Sequence, residues 1–145
     1  PFKRYYDYII IDSPPSLGLL TINALTASDE VILPLQPEYL ALQGLTKLME
    51  VIEKIQKRLN KKLKVGGIVI TQYDKRKVLN RDVVEFIKQN YKGDLFRTMI
   101  RENIALAEAP TKGLDVFRYA PKSKGAEDYL SLCKEFLKDE YYLIN

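Results

Sequence analysis

The chain contains no histidine, and that absence removes a Ser-His-Asp triad, a Cys-His dyad, a histidine zinc site and the imidazole general base together. Cysteine is nearly as scarce. Cys133 stands alone, so it forms no internal disulfide, and its apolar neighbours predict a small buried residue in a reducing compartment. No run of about 18 apolar residues occurs and no signal-peptide pattern is visible, which predicts a cytoplasmic protein without a membrane span. None of the 7 glycines precedes a Lys-Ser or Lys-Thr pair, so the G-x-x-x-x-G-K-[ST] phosphate cradle is not in these residues.

What is present is a globular composition. With 145 residues, 46% apolar and 29% charged, the chain suits one folding unit with one core and excludes disordered, collagenous and low-complexity classes. Its 23 Lys and Arg against 19 Asp and Glu leave +4, an excess that permits a polyanionic partner without specifying one. The chain opens on Pro1 and is strand-like by Tyr8, which suggests that a further portion precedes it.

The continuously apolar, β-branched run at residues 8–11 predicts a parallel strand covered on both faces, with Asp12 at its C-terminal end. Residues 31–35 and 67–71 have the same character, and residues 95–100 form a shorter candidate. Between the second and third strands, Leu45, Leu48, Ile52, Ile55 and Leu59 recur at helical spacing, and Glu50/Lys54 and Glu53/Lys57 pairs occupy another face. Residues 57–64 form a basic, solvated turn. Asn80 is placed to cap a helix carrying Val83, Val84, Ile87 and Tyr91, which Gly93 ends. A last helix begins near Ser123, with Glu127 and Asp128 in its early turns and an apolar stripe of Ala126, Tyr129, Leu130, Cys133 and Leu137. Strands alternating with helices predict an α/β fold with a largely parallel sheet. Ligands bind such sheets beyond the carboxyl ends of the strands, which selects the loops at 12–18, 36–43 and 71–80.

An apolar strand ending in aspartate has the form of a Walker B element, whose carboxylate holds a magnesium-bound water and helps neutralise triphosphate charge. After Asp12 come Ser13, Pro14, Pro15, Ser16, Leu17 and Gly18. The prolines stiffen the turn, and Ser16, Leu17 and Gly18 offer backbone N–H groups at the start of the next helix, where a γ-phosphate is sensed and a switch can operate.

Residues 6–18, with Thr21 to Leu25, resemble the Walker B and switch II region of the ParA/Soj family, DNA-partitioning ATPases with a deviant Walker A loop. The blocks at 31–38, 41–45, 67–74, 108–113 and 119–126 resemble that family in the same order, so the likeness covers roughly residues 5–138. It implies the C-terminal portion of a P-loop NTPase-like fold, incomplete because the phosphate loop, its lysine and the switch I aspartate belong to a preceding part. No catalytic residue is therefore expected in residues 1–145. The resemblance further implies an ATP- and Mg²⁺-dependent homodimer that binds nonspecific DNA, associates with the nucleoid in the cytoplasm and is stimulated by a ParB-type centromere-binding protein. The 145 residues alone are expected to be inactive.

Asp12 and Pro14 are then the nucleotide- and magnesium-side candidates. Gln72 and Tyr73 leave a strand end, and the resemblance puts the adenine between them and the segment of Ile100 and Arg101. Many family members carry proline where this chain has Arg101. Lys75, Arg76 and Lys77, with Lys112, Arg118, Lys122 and Lys124, supply cations for salt-sensitive, sequence-independent DNA contact. Ala105 stands where relatives often have arginine. The stretch 17–27 is a candidate dimer contact. Two alternatives remain: a MinD-type cell-division-site ATPase, which the short, weakly basic C-terminus disfavours, and a nucleotide-independent DNA-binding or adaptor module.

Overall fold

Strands form where the β-branched runs find a partner. The computed structural model describes residues 4–14, 16–91 and 95–137, and in it β1 (Glu30–Leu35) pairs with β2 (Lys64–Ile70). The Lys64 N–H donates to the Asp29 carbonyl at 3.0 Å and the Thr71 N–H to the Leu35 carbonyl at 2.9 Å. Both numbers rise together, so the pair is parallel. Since Asp29 and Leu35 bond toward β2, the missing N–H of Pro34 falls on the other edge and no ladder bond is lost. On the opposite edge of β2, Phe96 donates to Ile68 and Ile100 to Ile70 at 3.0 and 2.8 Å. There the expected strand at 95–100 is reduced to parallel bridges, Ile68 with Leu95 and Tyr73 with Arg101. The α/β class with a parallel sheet holds.

Residues 8–11 do not join it. Ile10 is 92% exposed and Tyr8, Ile9 and Ile11 about half so, and none lies in a strand. Apolar character favours burial, but a strand exists only where a neighbouring strand completes its ladder, and among the described residues no ladder or bridge includes this run.

The helices are α1 (Leu19–Ala27), α2 (Tyr39–Arg58), α3 (Val78–Asn90), α4 (Ile104–Glu108), α5 (Val116–Tyr119) and α6 (Lys124–Phe136), with a 3-10 turn at Ala109–Lys112. The α2 stripe buries Leu45, Ile52 and Ile55, while Leu59 lies past the helix end and is exposed. The opposite face carries the expected Glu53–Lys57 ion pair. α6 starts as expected: the Ala126 N–H donates to Ser123 Oγ at 3.2 Å, and Glu127 lies in the first turn.

Its buried face differs from the apolar stripe. Gly125, Ala126 and Asp128 are buried and Leu132 packs against the core, whereas Tyr129, Leu130 and Cys133 are exposed. Asp128, a buried carboxylate paired with the half-exposed Arg101, lies on the inner face of the helix in place of part of that stripe. The expectation of a buried cysteine is corrected with it. A Cβ on Gly125 would lie 2.7 Å from Leu106 Cγ, so the helix approaches α4 as closely as a glycine permits.

Where composition predicts one core, the chain divides into two compact units, Pro1–Val31 with Thr46–Lys64 and Ile32–Leu45 with Val65–Asn145. The first buries Leu25, Ile52, Ile55 and Leu63. There the basic turn is tied down by Asn60, whose Nδ2 donates to the Leu25 and Ser28 carbonyls at 3.1 and 2.7 Å. In the second, Val69, Phe96 and Ile100 form a cluster with Leu106 and Leu132 against it, beside the fully buried Ile68, Ile70 and Ile87.

Candidate functional site

In the first unit, Asp12 is exposed in an irregular loop. Among the described residues it has no ion pair. The loop is drawn onto α1 by Thr21, a buried residue whose hydroxyl donates to the Ser16 carbonyl at 2.5 Å and reaches the Pro14 carbonyl at 3.5 Å. Gly18 occupies the N-cap and supplies no side-chain cap, so no cap side chain covers the first backbone N–H groups of α1, and a helix start of this kind favours an anion. Within the 17–27 stretch Leu17, Leu19 and Leu20 are exposed at 48%, 77% and 70%.

In the second unit the structure brings together Gln72, Tyr73, Ile100 and Arg101. Gln72 adopts φ 52°, in the left-handed region, where a side chain other than glycine is strained. The Tyr73 N–H donates to the Ile100 carbonyl at 3.0 Å and its carbonyl accepts from the Glu102 N–H at 3.3 Å. The Ile100 side chain is 2% exposed in the core, which leaves its backbone as the part that faces this loop.

Arg101 is held by carboxylates. Its backbone N–H and Nε each donate to Asp128 Oδ2 at 2.9 Å, its Nη2 donates to Asp128 Oδ1 at 2.5 Å, and Nη2 also reaches Glu127 Oε2 at 3.2 Å. Burial by itself raises the Asp128 pKa, but the side-chain and backbone hydrogen bonds of Arg101 outweigh it and hold the carboxyl below its ordinary range. Those same contacts push the Arg101 pKa up. Sequence reasoning missed this clamp, although an aspartate on the core side of α6 was its one local signal.

Ion pairing also divides the cations. Arg76 binds Asp74 at 2.8 Å, Lys77 binds Glu102 at 3.2 Å, Arg118 binds Asp115 at 3.4 Å and Lys124 binds Glu127 at 3.0 Å. The Arg76 contacts, side chain first and backbone N–H second, bring the Asp74 pKa down to about 2. Lys75, Lys112 and Lys122 have no carboxylate partner among the described residues and are exposed. Ala105 is buried at 7%.

Asn80 is not a cap. The N-cap of α3 is Lys77, and Asn80 sits inside the helix, 6% exposed. Its Oδ1 accepts from the Asp74 N–H at 2.9 Å and its Nδ2 donates to the Pro37 carbonyl at 3.1 Å. Tyr91 is the C-cap, and the expected terminator Gly93 lies outside the described residues.

Comparison with known proteins decides the kinship. A family model described as an AAA domain matches residues 1–65. Over 92% of its length the chain is 50% identical to the sporulation initiation inhibitor protein Soj of Bacillus subtilis, of which it covers 53%. Over 95% it is 46% identical to the chromosome partitioning protein ParA of Myxococcus xanthus, covering 49% of that protein. The chain belongs to the ParA/Soj family. It spans about half the length of the curated relatives it matches. Among solved structures, cobyrinic acid a,c-diamide synthase from Mycobacterium smegmatis, with bound ADP and magnesium, matches 86% of this ParA/Soj chain and 46% of its own, with TM-score 0.66 and 33% identity. The kinship supports a P-loop ATPase-like fold for the ParA/Soj chain. No described helix is long and apolar enough to cross a membrane.

Proposed function

We propose that this chain is part of a DNA-partition ATPase that hydrolyses ATP with Mg²⁺, dimerises when ATP is bound, holds DNA without sequence preference and is released by a centromere-binding partner, in the cytoplasm and on the nucleoid. The observation that carries the reading is Asp12, an exposed carboxylate without a counter-cation among the described residues, at the head of a loop pinned to a helix N-terminus that has no side-chain cap.

The residues present fit magnesium in a limited way. Among the described residues no three His, Cys, Asp or Glu side chains converge as a metal site, so Asp12 suits contact through a metal-bound water rather than a closed coordination shell. The bound metal would supply charge neutralisation at the phosphates. Pro14, in the same loop, limits how far the backbone after Asp12 moves, and the N-terminal end of α1 favours an anion. Gln72 and Tyr73 border the adenine by this reading. Ile100 contributes backbone, and Arg101 braces the segment from Asp128 rather than reaching the base.

In the intact protein, Asp12→Ala is expected to lower magnesium-dependent ATP hydrolysis by about 10²-fold or more. Wild-type turnover in that variant refutes the assignment. For the 145 residues alone, which lack the phosphate cradle, calorimetric titration with Mg-ATP is expected to show no binding. Micromolar affinity overturns that expectation.

A further inference from the structure

We propose that Asn80 is a positioning residue that sets the conformation of the base-side loop, by joining the turns at the carboxyl ends of the two neighbouring parallel strands. The proposal rests on reading residues 71–74 as that loop.

The loop is held along most of its backbone. Thr71 donates to Leu35, Tyr73 exchanges hydrogen bonds with Ile100 and Glu102, and the Asp74 N–H goes to Asn80 Oδ1. Between these anchors Gln72 keeps its left-handed φ of 52°, a conformation that persists only where its surroundings over-determine it. The other end of the Asn80 amide donates to the Pro37 carbonyl across 43 residues of sequence. Pro37 follows β1 as Gln72 follows β2, so one buried side chain spans the ends of both strands, the position where α/β sheets take ligands.

The chemistry admits one orientation. Asp74 N–H can only donate and the Pro37 carbonyl can only accept, so the amide cannot be reversed without losing both bonds. A charged pair elsewhere in the loop does not substitute for it: Asp74 and Arg76 face each other, and Arg81 Nη1 donates to the Lys75 carbonyl at 2.8 Å, both on the outer side of the turn. Asn80→Asp keeps an acceptor for Asp74 N–H but sets a carboxylate oxygen against the Pro37 carbonyl, separating the two contacts while preserving shape.

The test uses the intact protein and two probes with magnesium: ATP, and tripolyphosphate, which lacks base and sugar. In the wild type ATP binds more tightly. Asn80→Asp is expected to weaken ATP by about tenfold, the worth of one lost buried hydrogen bond, with tripolyphosphate affinity and kcat at saturating ATP within about twofold of wild type. A folded variant that keeps the wild-type ratio of the two affinities overturns the role of Asn80 and leaves the base-side reading standing. A wild type that binds both probes equally overturns that reading and the proposal with it. Should Asn80→Asp fail to fold, Asn80→Ser carries the same comparison. Amide exchange at Asp74 in the wild type needs no variant: slowing on ATP binding supports the proposal and an unchanged rate overturns it.

Discussion

Replacing Asp128 by asparagine removes one charge and almost no volume, which isolates the electrostatic share of the clamp on Arg101. The Asp128 side chain is 10% exposed and that of Arg101 43%. Hydrogen bonds to charged groups contribute about 1.5–3 kcal/mol each, and the carboxylate accepts from the backbone N–H, Nε and Nη2 of Arg101. The simple sum overstates the effect, because the half-open guanidinium is screened by water and asparagine retains one acceptor oxygen. A net cost of about 2–3 kcal/mol follows at neutral pH.

The sign of the pH dependence follows from the depressed Asp128 pKa. Below the unfolded carboxylate pKa of about 4 the unfolded chain takes up a proton first, so the stabilisation is full above that pH and is lost as pH falls through the lower folded value. Urea unfolding of the protein at pH 7 and pH 3 is therefore expected to show a gap between wild type and Asp128→Asn that narrows in acid. The protection factor of the Arg101 amide, which donates directly to the carboxylate, should fall over the same range. A cost below about 0.5 kcal/mol at pH 7, within the range of an ordinary surface substitution, or a gap that does not change with pH, refutes the reasoning.

Gly125→Ala places a methyl against Leu106 at 2.7 Å and is expected to cost about 1–3 kcal/mol as overpacking, read as a lowered denaturation midpoint; a neutral result means that α4 yields. If DNA is bound through the cations that have no carboxylate partner among the described residues, Lys112→Ala with Lys122→Ala should weaken unrelated sequences equally and reduce the salt slope by about two. Lys124→Ala alone should matter less, since that lysine is shared with Glu127. An unchanged slope in the double variant removes both lysines from the interface.

Local pattern was sufficient where the deciding interactions are local. The spacing of Leu45, Ile52 and Ile55 marks α2, and Ser123 three residues before Ala126 marks the start of α6, because periodicity and capping operate within one or two turns. The run before Asp12 is the counterexample: its local pattern reads as a strand buried on both faces, and the structure leaves it exposed. Long-range partners are not written in any window. Arg101 reads as a free cation beside a strand end, and only packing against α6 shows it bound to a carboxylate 27 residues away. Asn80 reads as a helix cap for the same reason: its partner at Pro37 is remote in sequence.

The sequence by itself determined the buried face of α2, the alternation of strand and helix, the kinship and the absence of histidine chemistry and of a phosphate cradle in these residues. Tertiary structure alone decided which apolar run becomes a strand, which cations are already neutralised, and that Cys133 faces outward while Asp128 faces in. The physical reason is that helical periodicity and capping are short-range, whereas ladder partners, buried ion pairs and side-chain bridges exist only once distant segments meet.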